Sequence, residues 1–178
     1  MRILCLGDSN TYGYDPRSYF GERYHPEDRW VDLLANQTDH TLINAGINGR
    51  EIPRNPSALG LFTELDFLLV MLGTNDLLQG ASAKEAAARM EGFLTPLLPH
   101  CKQVLLICPP PMKRGAWVPT DELVTESIRL AEEYMTLADK LNIPFVDTRH
   151  RNIELTFDGV HFSEAGHHTF ANCLIKYM

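Results

Sequence analysis

The sequence predicts a three-layer α/β/α protein, a single doubly wound domain over residues 1–178 built on a five-stranded parallel sheet. Three observations predict it. Short, continuously apolar runs recur at Ile3–Leu6, Thr41–Asn44, Phe67–Leu72, Val104–Cys108 and Pro144–Asp147. Runs of that length without polar alternation suit strands covered on both faces. Segments with helical periodicity stand between them, the alternation that winds helices onto both sides of a sheet. No repeat, low-complexity tract or linker interrupts the rhythm. At 178 residues the chain can bury about 70% of its unfolded surface in one domain.

The first run passes straight into Gly7-Asp8-Ser9-Asn10, residue types that turn a chain and cap a helix. Pro26 is placed to open a helix with Trp30, Leu33 and Leu34 inward. The second run ends in Asn44-Ala45-Gly46-Ile47-Asn48-Gly49, and the third in Gly73-Thr74-Asn75-Asp76. Ser82 and Glu85 form a capping box ahead of Met90, Phe93, Leu94 and Leu97 at one-face spacing. The fourth run ends in Pro109-Pro110-Pro111, and Val124, Ile128, Ala131, Met135 and Ala138 mark the apolar face of the next helix. The fifth leads across a short link to Asp158-Gly159-Val160-His161. Ser163 then caps a last helix with Ala171, Leu174, Ile175 and Met178 inward.

Hydrophobic residues make up 44% of the chain and charged residues 22%, ordinary values for a globular protein. The net charge is −7 and the 16 basic residues never run beyond two, which argues against a nucleic-acid partner. No apolar stretch approaches a membrane span and no signal-peptide core opens the chain, so a cytoplasmic protein without a membrane partner is expected. Cys5, Cys101, Cys108 and Cys173 are widely spaced and mostly inside apolar runs. They read as buried free thiols in a reducing compartment.

In an open parallel sheet the ligand crevice lies beyond the carboxyl ends of the strands. There the sequence delivers a serine, a glycine turn, an asparagine, an aspartate and a histidine. Acyl transfer needs a nucleophile, a base, a group that orients the base, and donors for the oxyanion. Ser9 has the strand-to-helix position of a nucleophile. His161 is placed as its base, and Asp158, three residues earlier, reaches the second ring nitrogen. The N–H groups of Ser9 and Gly49 and the side-chain amide of Asn75 are the candidate oxyanion donors. Each residue also has an ordinary structural role open to it. Ser9 suits a cap, Asn75 and Asp76 a turn, Asp158-Gly159 a turn pair, and His161 a core histidine bonded to a carbonyl. The joint arrival at strand ends favours chemistry. Asp8, Asn10, Tyr12, Trp117 and Val160 are the expected substrate contacts, in a rim rich in aromatics (Tyr14, Tyr19, Phe20, Tyr24, Phe157, Phe162) that suits short acyl groups.

The blocks GDSN, NAGING, GTND and DGVH, in this order and spacing, resemble those of the SGNH hydrolases, the GDSL-type esterases, from Arg2 to the C-terminal helix. The resemblance implies a flavodoxin-like fold, Ser9 as nucleophile, Asp158 and His161 completing its triad, and Gly49 and Asn75 in the oxyanion hole. The stretches RILCLGDSNTYGY, RYHPEDRW, MLGTND, ICPPPM and DGVHFSEA are most similar to the arylesterase and acyltransferase (perhydrolase) branch. The loops around 51–62 and 110–120 are short against that branch, and position 10 is Asn where the family name has leucine. The activity implied is hydrolysis of small aryl or acetyl esters, or transfer of their acyl group, through an acyl-enzyme and without metal or cofactor. Members of the branch often form homo-oligomers, for which Tyr12–Tyr24 and Pro109–Pro119 are candidate contacts.

Other readings are weaker. The chain has no G-x-S-x-G elbow, no G-x-G-x-x-G and no P-loop. His167 and His168 are adjacent and point apart on a helix, and no cysteine or carboxylate completes a metal set with His161. Cys108 suits a small buried residue better than a second nucleophile. A non-catalytic module that binds an acyl or sugar ligand is the competing reading, and thioesters or lysophospholipids are the alternative substrates.

Overall fold

The computed structural model describes residues 1–55 and 65–178; the loop expected around 51–62 lies outside the described residues beyond Asn55. The apolar runs become β1 (Arg2–Gly7), β2 (Thr41–Gly46), β3 (Leu65–Met71), β4 (Cys101–Ile107) and β5 (Phe145–Val146). They pair in parallel in the order β2-β1-β3-β4-β5. The chain steps outward from β1 to β2 and then returns past β1 to β3. That reversal opens a crevice at the carboxyl ends of β1 and β3.

Alternate residues of each strand enter opposite layers. Leu4 and Leu6 of β1 join Leu68, Val70, Val104 and Leu106 beneath α4 (Ala83–Leu94) and α5 (Asp121–Leu141). Ile3 and Cys5 join Phe67, Leu69, Met71 and Leu105 against α2 (Trp30–Asn36) and α6 (Glu164–Leu174). Both faces of the strands must therefore be apolar, which is why the runs lack polar alternation. Each fully buried Leu or Phe contributes about 1.5–3 kcal/mol.

Local signals set most helix starts. Ser82 Oγ accepts the Glu85 N–H and Glu85 Oε2 accepts the Ser82 N–H at 2.8 Å, closing the expected capping box on α4. Such a cap is worth about 1 kcal/mol. The helix expected from Pro26 starts instead at Trp30. Pro26–Asp28 form one 3-10 turn, and Arg29 is extended at φ −104° and ψ 127°. Trp30 is buried and its Nε1–H donates to the Asn10 carbonyl at 3.1 Å, so a tertiary anchor sets the start of α2.

The inner face of α5 is rotated from the expected one. Ile128 and Met135 are 42% and 45% exposed, and the buried stripe is Ser127, Leu130, Ala131, Tyr134, Leu137 and Ala138. Two polar side chains fix the rotation. The Tyr134 hydroxyl donates to the Leu72 carbonyl at 3.0 Å, and Ser127 Oγ accepts the Met112 N–H at 2.9 Å. An apolar count passes over both. The final helix ends at Leu174, and Ile175 lies half out of the core on a 3-10 turn, Ile175–Tyr177. β5 is shorter than expected because Asp147 turns out of the ladder, its carboxylate held by Arg149 at 2.7 Å. Cys5 and Cys108 are buried, whereas Cys101 and Cys173 are only partly covered; none is in a disulfide. No helix among the described residues is long and apolar enough to cross a membrane.

Candidate active site

β1 ends at Gly7, and Asp8 caps α1 (Ser9–Tyr12) by accepting the Asn10 N–H at 3.0 Å. The cap turns the chain at Ser9, whose Oγ lies 2.9 Å from Nε2 of His161. On the far side of the ring, Nδ1 is 2.7 Å from Oδ2 of Asp158. An ionised carboxylate only accepts hydrogen bonds, so Nδ1 carries the proton and Nε2 offers its lone pair to the serine hydroxyl. Oδ1 of Asp158 accepts the N–H groups of Val160 and His161 at 2.8 and 2.9 Å. Burial works against this carboxylate, but the His161 ring and the two N–H groups outweigh it and hold its pKa at about 2. Asp158 is thus charged throughout the neutral range. Asp8 is less compensated: burial pushes it up to about 6, against the opposing pull of the Asn10 N–H and of His161.

The turn that carries Asp158 and His161 is held by the loop after β4. Lys113, Ala116 and Trp117 donate their N–H groups to the carbonyls of Gly159, Phe157 and Asp158 at 3.0, 3.2 and 3.0 Å. Gly159 has φ +82°, and a Cβ there would overlap the Lys113 carbonyl, so the close approach requires glycine. This zipper brings the Trp117 ring to 5.1 Å from His161, edge to face. The Tyr14 ring meets the imidazole at 4.8 Å.

The loop after β2 brings Gly49, at φ +72°, and α3 (Thr74–Leu78) brings Asn75. Asn75 Nδ2 donates to the Arg50 carbonyl at 3.1 Å, which aims the amide and leaves its second N–H for another acceptor. Next to it, Asp76 accepts the Ile52 N–H at 3.0 Å and pairs with Arg89 at 2.8 Å, tying the β2 loop to α3 and α4. The Arg50 guanidinium donates to the carbonyls of Gly7 and Ala45, tying the same loop to β1 and β2.

Ser9, Gly49, Asn75, His161 and Trp117 line one cavity of about 230 Å³, with Asp158 behind His161. The other expected substrate contacts lie elsewhere. Asp8, Asn10 and Val160 are buried, Asp8 as the cap and Asn10 bonded across to the His161 segment. The Tyr12 ring lies under Arg23, 4.5 Å from its guanidinium carbon. Tyr14 and Asn48 complete the wall instead. Tyr14 belongs to the aromatic rim legible in the sequence. No periodicity separates it from Tyr12, because α1 ends between them at Gly13 in a left-handed conformation. A larger hollow of about 410 Å³ lies at the opposite end of the sheet, around Cys101–Leu105 and Leu141–Pro144. It contains no nucleophile–base pair, and its Lys102 pairs with Asp66 at 2.6 Å.

Chemically, the cavity presents a hydroxyl hydrogen-bonded to an imidazole that an ionised carboxylate orients, with N–H groups across from it. Comparison with known proteins gives the family. Residues 5–169 match the model of the GDSL-like lipase/acylhydrolase family. No curated protein sequence matches the chain. Among solved structures, the native aryl esterase of M. smegmatis is 29% identical, with a TM-score of 0.86 over 99% of this chain and 97% of that one. A carbohydrate acetylesterase family member from Sinorhizobium meliloti is 27% identical, with a TM-score of 0.85 over 99% of this chain and 96% of that one. The fold, the family model and these esterase neighbours agree: the chain belongs to the GDSL-like lipase/acylhydrolase family, the SGNH hydrolases, and is a carboxylic ester hydrolase.

Proposed function

We propose that this esterase works through Ser9, His161 and Asp158 on short-chain aryl or acetyl esters. The observation that carries the reading is the unbroken relay from Ser9 Oγ through both ring nitrogens to Asp158, at 2.9 and 2.7 Å. Ser9 attacks the acyl carbonyl as its proton passes to Nε2 of His161. The N–H groups of Ser9 and Gly49 and the free N–H of Asn75 hold the developing oxyanion. His161 then protonates the departing alkoxide, leaving the acyl group on Ser9. Water, or an alcohol in the transfer reaction, loses its proton to His161 as it attacks the ester carbonyl; the C–Oγ bond then breaks and His161 returns that proton to the Ser9 oxygen, freeing the serine.

The size and walls of the cavity support the substrate class. A space of about 230 Å³ between Tyr14 and Trp117 takes a short acyl group and leaves the alcohol portion against aromatic surface. The aryl esterase and carbohydrate acetylesterase among its structural relatives support the same range. A panel of p-nitrophenyl esters of increasing acyl length, run beside acetylated sugars and acyl-CoA, tests it. Turnover should be highest on acetyl and propionyl esters, and a preference for long acyl chains would refute the substrate class. A serine-directed phosphonate should label Ser9, and Ser9→Ala should remove both labelling and turnover in a folded protein. A folded Ser9→Ala variant with near-normal turnover would refute the mechanism.

A further inference from the structure

We propose that Asn10, the residue after the nucleophile, is a positioning residue that holds the base in register with Ser9; the proposal rests on the Ser9–His161–Asp158 reading above. Asn10 is 3% exposed, and its side-chain amide grips both neighbours of His161. Oδ1 accepts the Phe162 N–H at 2.8 Å, and Nδ2 donates to the Val160 carbonyl at 3.1 Å. The amide thus pairs with the backbone on either side of the base as a neighbouring strand would.

Asp158 fixes the rotation of the imidazole but not its distance from Ser9, because Asp158 and His161 share one turn and move together. Within its own segment the turn is held by the Thr156 N–H, which donates to the His161 carbonyl at 2.8 Å. From outside it is held by the loop after β4 and by the Tyr24 hydroxyl, which donates to the Phe162 carbonyl at 3.1 Å, and none of these lies on the nucleophile's segment. Asn10 does. Its backbone is itself held at both ends, the N–H by Asp8 at 3.0 Å and the carbonyl by Trp30 Nε1 at 3.1 Å. The clamp therefore reaches from the buried anchor of α2 through α1 to the base. A leucine here would fill the space but leave the buried Val160 carbonyl and Phe162 N–H without these partners.

The test compares Asn10→Leu and Asn10→Asp with the unmodified enzyme on p-nitrophenyl acetate, alongside the rate of inactivation by a serine-directed phosphonate and the melting temperature. Asn10 does not line the cavity, so kcat should fall by about 10- to 100-fold, the scale of a misplacement near 1 Å, with KM little changed. Phosphonate inactivation should slow by the same factor. Asn10→Asp keeps the shape and the acceptor for Phe162, but near pH 8 its carboxylate opposes the Val160 carbonyl, so it breaks the Val160 half of the clamp and leaves the Phe162 half in place. It decides the matter where Asn10→Leu does not fold. A folded variant with normal kcat and normal inactivation, whatever its melting temperature, would overturn the proposal, as would a higher KM at unchanged kcat. Ser9→Ala in the same series separates the two levels. If it remains active the triad reading fails; if it is inactive while the Asn10 variants are not slowed, only the role of Asn10 fails.

Discussion

His167 puts the electrostatics of the buried layer beside the site to a quantitative test. Its side chain is fully buried between the rings of Tyr24 and Phe162, each 5.2 Å away. Nδ1 accepts the Trp30 N–H at 3.4 Å, so the neutral ring carries its proton on Nε2, which has no partner among the described residues. Burial first, and then the neighbouring His168 and Arg29, push its pKa down from 6.5 to about 3. Between those values the unfolded chain binds a proton that the folded chain refuses. The contribution to stability is therefore complete above the unfolded value and is lost as pH falls toward the folded one. Over the whole range the loss is on the order of 5 kcal/mol, and between pH 6.5 and 5 it is about 2 kcal/mol. His167→Asn keeps an acceptor for Trp30 and removes the titration. Urea unfolding at pH 7.5, 6 and 5 should show the variant about 2 kcal/mol less stable at pH 7.5, from lost packing, with the deficit nearly closed at pH 5. Parallel loss of stability in both proteins across that range would refute the argument.

Three further substitutions probe the site. Asn75→Ala should lower kcat by about 100- to 1,000-fold with little change in KM, the loss of one oxyanion donor; a lower melting temperature with normal kcat would make Asn75 a turn residue only. Asp158→Asn should cost about 10,000-fold in kcat, because an amide cannot hold Nδ1 as the protonated nitrogen, and steady-state kinetics with unchanged kcat would remove Asp158 from the relay. Gly159→Ala should both destabilise the protein and slow turnover, since its φ of +82° and the Lys113 carbonyl leave no room for a Cβ. A variant with normal melting temperature and rate would show that the loop after β4 does not need that close approach.

The sheet was legible because its cause is local and repeated. The central runs had to be apolar on both faces, and their shortness and alternation with helical segments mark them as strands. The alternation leaves more than one doubly wound strand order open, and the flavodoxin-like order was implied by the family resemblance. The errors in the fold lie where a single long-range contact outweighs local preference. Pro26 looked like a helix start, yet the buried Trp30 sets it through a bond to Asn10. On α5, Ala131 and Ala138 belong to both possible faces, and hydroxyl bonds from Tyr134 and to Ser127 choose between them. A hydroxyl at a buried position carries information that a hydrophobic count discards.

The site divides along a similar line. Ser9, Gly49 and Asn75 follow strand ends directly, so topology gathers them, whereas Asp158 and His161 lie well beyond β5 and are brought in by the loop after β4. Side-chain direction within a turn is different. On a helix successive side chains diverge by about 100°, so Asp8, Ser9 and Asn10 cannot all face one cavity. If Ser9 faces it, its neighbours must point into protein, where a polar side chain is retained only with partners. Asp8 finds the Asn10 N–H, and Asn10 finds Val160 and Phe162. Of the block, Asp8 and Asn10 were expected to touch substrate, but only Ser9 lines the cavity and its two neighbours are buried braces. The same logic covers Asn75 and Asp76: the first lines the cavity, and the second turns inward to hold the loop that presents Gly49. Consecutive polar residues at a buried strand end are thus better read as alternating between reaction and support than as one contiguous binding surface.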